Sequence, residues 1–121
     1  MINNLFKKYL YDTTVVIRVE DEYGTGPYHS GVLVDGLDVV DSVRNPMPYR
    51  DGIDDCTGCI FGFSSWAQLR AWFNLSVRHG LCVAGFRVGE YVVARKHILT
   101  GRSQVAFPRD SAQLIKVKEI L

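Results

Sequence analysis

The alternation of apolar and polar positions marks out several elements along the chain. Thr13-Thr14-Val15-Val16-Ile17-Arg18-Val19 is β-branched, and β-branched residues suit a pleated, half-buried surface, so it predicts a strand. It ends in Glu20 to Tyr28, where Gly24, Gly26 and Pro27 mark a loop or tight turn. Val32-Leu33-Val34 reads as a short strand or as loop packing. From Asp35 to Gly58 the chain carries three glycines, two prolines and six aspartates, which predicts a long irregular stretch. Cys59 to Phe63 is a short buried strand. One helix follows over residues 65–79. Ser65 and Gln68 have capping-box spacing, and Trp66, Leu69, Trp72, Phe73 and Val77 recur every three or four residues as one apolar face. Arg78, His79 and Gly80 supply basic last-turn residues and a terminal glycine. Strands are then expected over Leu81 to Val88, Glu90 to Ala94, Gln104 to Phe107 and Leu114 to Ile120.

This order predicts an α+β fold: a single domain, residues 1–121, with a mixed or antiparallel sheet and one main helix. Length and composition agree. The 121 residues are 47% hydrophobic and 22% charged, values of an ordinary globular domain. A net charge of +1 argues against an electrostatically driven nucleic-acid or membrane partner. No apolar run reaches the ~18 residues of a membrane span. The first residues lack the apolar centre of a secretory signal, and three cysteines fit a reducing compartment, so a cytoplasmic protein is expected.

Two local patterns touch on chemistry. Cys56-Thr57-Gly58-Cys59, with His79 and Cys82 downstream, offers three sulfurs and an imidazole at spacings that a tetrahedral zinc site uses. Against it, Cys59 opens an apolar strand, His79 closes the helix, and Cys59 and Cys82 serve equally as small buried hydrophobes. Gly24-Thr25-Gly26-Pro27 lacks the third glycine and the following helix of a phosphate loop, and reads as a hairpin or corner. Tyr28, His29, Tyr49 and Arg50 are further candidates to line a pocket beside the long loop.

A third pattern is spread along the chain. Arg18 lies on the first strand, Phe63-Ser64-Ser65-Trp66 follows a later one, and Arg102-Ser103-Gln104-Val105-Ala106-Phe107-Pro108 precedes the closing strand Leu114 to Ile120. In order and spacing this resembles ADP-ribosyltransferase-like domains of the arginine–serine–glutamate type. The resemblance implies an NAD-related nucleotide bound by Arg18, Ser64 and Ser65, with Tyr28 and His29 nearby. Gln104 takes the place of the family's glutamate, and Arg102 that of the acid two residues earlier. The reaction builds positive charge on a ribose, and a carboxylate stabilises that charge in the transition state. Glutamine supplies a hydrogen bond but no charge. Binding without transfer is then the expectation, unless Glu90, Asp54 or Asp55 serves as the acid. Ser65 also has a purely structural role as the helix cap.

The sequence therefore supports two main expectations. One is an accessory protein on an ADP-ribosyltransferase-like scaffold that binds an NAD-related nucleotide or a protein partner. The other is an inhibitor of the phage or mobile-element type that acts by occupying a host or partner protein. Short length, near-zero net charge, the aspartate-rich loop and the incomplete catalytic set suit the second. A zinc-stabilised interaction module built on Cys56, Cys59, His79 and Cys82 is a further alternative.

Overall fold

The computed structural model describes residues 12–31, 33–37, 48–53 and 57–121. They form a small α+β domain of two antiparallel three-stranded sheets and two helices. β1 (Thr13–Glu20), β3 (Arg87–Ala94) and β6 (Ala112–Lys118) make one sheet in the order β1-β3-β6. β2 (Cys59–Gly62), β5 (Val105–Pro108) and β4 (Leu99–Thr100) make the other, in the order β2-β5-β4. The helices α1 (Trp66–Trp72) and α2 (Leu75–Val83) lie between β2 and β3 in the chain. No helix among the described residues is long and apolar enough to cross a membrane.

A single β-bridge stitches the sheets together. Ile17 N–H donates to Phe63 O at 2.9 Å, and Phe63 N–H donates back to Ile17 O at 2.7 Å. The two strands come so close there that a Cβ on Gly62 would collide with the Ile17 carbonyl oxygen. Position 62 therefore has to be glycine because of space, not backbone angle.

From Val16 to Glu20, β1 is buried on both faces, which explains the apolar run at its centre. Ile17 and Val19 join Leu69, Phe73, Val77, Leu81, Phe86 and Val88 in a core against the helices. Val16, on the opposite face, packs with Tyr91, Val93, Val105 and Phe107 between the sheets. The long irregular stretch also reaches inward, since Leu37 and Ile53 are buried.

The expected single helix is two. Ser65 Oγ accepts from Gln68 N–H at 3.2 Å, and Gln68 Oε1 accepts in return from Ser64 N–H, one residue ahead of the cap. The helix then breaks at Phe73, which is extended (φ −109°, ψ 105°), and Asn74 caps α2 by accepting from Val77 N–H at 2.9 Å. Helix α2 runs past Gly80 and ends at Gly85 (φ +94°), where Gly85 N–H reaches Cys82 O and Phe86 N–H reaches Leu81 O. Residues 81–83, read from sequence as strand, are the last turn of that helix.

Candidate functional site

The first strand places Arg18 and Glu20 two residues apart and therefore on one face. The guanidinium and the carboxylate are both buried, with Arg18 Nε 3.2 Å from Glu20 Oε1. Arg18 Nη1 donates to Phe61 O at 2.9 Å and Nη2 to Gly24 O at 3.2 Å. Tyr91 Oη donates to Glu20 Oε1 at 2.6 Å, and Arg109 Nη2 donates to the same Gly24 carbonyl at 2.9 Å. Burial pushes the Arg18 guanidinium below its usual value, against the opposing pull of Glu20. Burial, followed by the hydrogen bond to Glu20, pushes the Tyr91 phenol up to about 12.

The glycine loop is the other half of this cluster. Asp21 Oδ1 accepts from Tyr23 and Thr25 N–H, folding the corner back on itself. A Cβ on Gly26 would stand 3.1 Å from Arg18 Nη2, and one on Gly24 3.0 Å from Arg109 Nη1. The two glycines make room for two arginines. The loop is a corner, as its sequence indicates, and what it cradles is the protein's own cations.

Gln104 ends the turn between β4 and β5. It is buried, Gly101 N–H donates to its carbonyl at 2.9 Å, and its own N–H donates to Asp51 Oδ2 at 3.1 Å. Ser103 N–H donates to the same carboxylate, and Arg102 N–H to Asp51 O. An acid thus does sit beside Gln104, but it is Asp51, buried and held by backbone donors. Sequence reasoning missed it because Asp51 is one of six aspartates in a stretch without periodicity. Of the other acids considered, Asp54 and Asp55 lie outside the described residues. Glu90 is 3.2 Å from Lys118 Nζ in an ion pair.

Register brings Arg18 of β1 near Ser64, just after β2, and Gln104, just before β5. Ile17 bridges Phe63, and Gly62 pairs with Val105, so Arg18, Ser64 and Gln104 each lie within a residue or two of that line. Ser64 donates through N–H and Oγ to Gln68 Oε1, and Ser65 is the α1 cap. Tyr28 stacks on Phe73 at 6.3 Å and accepts from Trp72 Nε1 at 2.9 Å, so it anchors the Pro27–His29 turn to the helices. His29 is exposed.

Of the Cys/His set, the structure describes Cys59, His79 and Cys82, and these three do not come together. Among the described residues no group of three histidine, cysteine, aspartate or glutamate side chains is placed to hold a metal ion. Cys59 opens β2, whereas His79 and Cys82 are both exposed on α2, and Cys56 lies outside the described residues. The expectation that Cys82 is a buried hydrophobe is also corrected, since it is exposed.

One feature no sequence pattern announced is an open cleft of about 430 Å³ where the helices meet the end of β6. Trp66, Arg70, Arg78, Lys118, Glu119 and Ile120 are among its lining residues. The Arg70 guanidinium lies over the Trp66 indole, 5.6 Å from the ring centroid. Arg78 Nε donates to Phe73 O at 3.0 Å, which satisfies the carbonyl freed at the helix break.

No curated protein and no solved structure matches the chain. A family model does, over nearly its whole length: residues 8–121 match, and the chain belongs to the family described as Bacteriophage T4 Y00F protein.

Proposed function

We propose that this chain is a phage accessory protein that acts by occupying a protein partner of the bacterial host or of the phage. The observation that carries this reading is the state of its buried polar groups. Arg18, Glu20 and Asp51 are engaged by the protein itself, through carbonyl oxygens, a phenol and backbone N–H groups. Displacing them to admit a substrate would strand buried charge, at a cost of about 3–5 kcal/mol per broken ion pair. The surface, by contrast, offers contact residues. Leu33 is 92% and Val83 91% exposed, and Leu75 projects from the same helix as Val83. Membership of a phage family fits the same reading. The test is affinity capture from the phage's bacterial host, followed by reconstitution with the purified partner. A saturable one-to-one complex is expected. Failure of every captured protein to rebind in purified form would overturn the reading.

A second reading is nucleotide binding on an ADP-ribosyltransferase-like scaffold, without transfer. It is favoured by Arg18 lying on β1 while Ser64 and Gln104 flank the ends of β2 and β5 beside it. Calorimetric titration with NAD and ADP-ribose, for wild type and Arg18→Ala, tests it. Absence of heat with both ligands in the wild type removes it.

A further inference from the structure

The cleft between α1, α2 and the end of β6 is lined by three cations, Arg70, Arg78 and Lys118, against one acidic side chain, Glu119. Lys118 already pairs with Glu90. Among the described residues neither Arg70 nor Arg78 is within ion-pair distance of a carboxylate. Two guanidiniums that no carboxylate of the described residues pairs with thus face one concavity and are complementary to negative charge. We propose that this cleft takes an acidic segment of the partner protein, with its carboxylates on Arg70 and Arg78. The proposal rests on the reading of the chain as a protein-binding accessory and names the chemistry of what it holds.

The geometry favours carboxylates on a peptide over a nucleic acid. Arg70 covers a face of the Trp66 indole, where a base would otherwise stack. The cation–π contact restrains Arg70, whose forked N–H donors suit a planar, bidentate acceptor. A net charge of +1 gives the molecule little long-range field for a polyanion, whereas a local pair of arginines still fixes one or two carboxylates. The cleft's volume of about 430 Å³ suits a few side chains of an extended segment and lies within the range of ligand pockets.

The experiment follows the Trp66 indole N–H by NMR, assigned with Trp72→Phe. The probe is a terminally blocked peptide alternating glutamate and leucine, with a lysine–leucine peptide, ATP and inorganic phosphate as parallel titrants. The expected result is a saturable shift of Trp66 with the acidic peptide alone, weakened about tenfold by raising salt from about 0.1 to about 0.5 M. Arg70→Glu, at an exposed position, should abolish it. Arg70→Gln serves should the charge reversal disturb folding, and should weaken binding about tenfold. An unmoved Trp66 resonance, a shift that survives both Arg70 variants, or tighter binding of ATP or phosphate than of the peptide would each overturn the proposal. A partner protein that binds Arg70→Glu as well as wild type also overturns it, while leaving the protein-binding function standing.

Discussion

Replacing Glu20 by glutamine tests whether the buried Arg18–Glu20–Tyr91 cluster holds the two sheets together. The substitution keeps shape and an acceptor for Tyr91 Oη but removes the charge 3.2 Å from Arg18 Nε. At an effective dielectric of about 20, two unit charges at that distance attract by about 5 kcal/mol. Arg18 keeps its bonds to Phe61 O and Gly24 O, which hold the guanidinium in place without neutralising it. The expected loss is about 3 kcal/mol, toward the lower end of the range for breaking a buried pair. Total stability for a chain of this length is about 6–18 kcal/mol, so the variant folds but is measurably weakened. Urea unfolding followed by tryptophan fluorescence should show a midpoint lower by about 2 M, for a slope of about 1.5 kcal/mol/M. Adding Arg18→Met removes the stranded charge, so the double variant should lose less than the sum of the singles, with a coupling of about 1–3 kcal/mol. A loss below about 0.5 kcal/mol for Glu20→Gln, or strict additivity, refutes the reasoning.

The same cluster sets the alkaline limit of the fold. Tyr91 ionises at about 12 in the folded chain against an ordinary 10, so the stability it contributes is complete below pH 10 and lost as pH rises toward 12. Tyr91→Phe should remove that alkaline step from the pH–stability curve, and persistence of the step would assign it to another group. Gly62→Ala drives a Cβ into the Ile17 carbonyl and should cost about 2–4 kcal/mol, read as a drop in urea midpoint. Asp51→Asn replaces an acceptor of backbone N–H groups by one that is half donor. It should cost about 1–3 kcal/mol and speed hydrogen exchange at the Ser103 and Gln104 amides. Gly85→Ala places a side chain at φ +94° with open space around it, so only backbone strain of about 1 kcal/mol is expected, seen as a slightly lower melting temperature.

The α+β class and the first strand were legible because β-branched runs and a capped helix start are local signals. The helix break was not. Trp66, Leu69, Trp72, Phe73 and Val77 keep an unbroken helical period across it, since α1 and α2 turn their apolar sides into the same core. Asn74 was the available signal, a good capping residue three positions before Val77. Gly80 resembled a helix terminus but is instead a close approach, where a Cβ would press on Val34. Terminal glycines are told apart by backbone angle, which sequence does not carry, and the true terminus, Gly85, lies five residues on.

The charged residues of β1 and of the cleft follow one rule. On a strand covered on one face, Arg18 and Glu20 would point to solvent and be open to ligand. β1 is covered on both from Val16 to Glu20, so the same alternation turns them inward, where each charge has to be answered by the chain. An arginine followed two residues later by a glutamate, just before a Gly-x-Gly corner, is the sequence form of that answer. Arg70 is exposed and Arg78 half-buried, and no carboxylate of the described residues pairs with either. Four residues separate Trp66 from Arg70, but Arg78 joins them through the Phe73–Asn74 break and Lys118 through the far end of the sheet. No window of sequence contains that set. Arg18, on the strand the sequence singles out, is answered by the chain itself, whereas the cations around the cleft are brought together by tertiary structure alone.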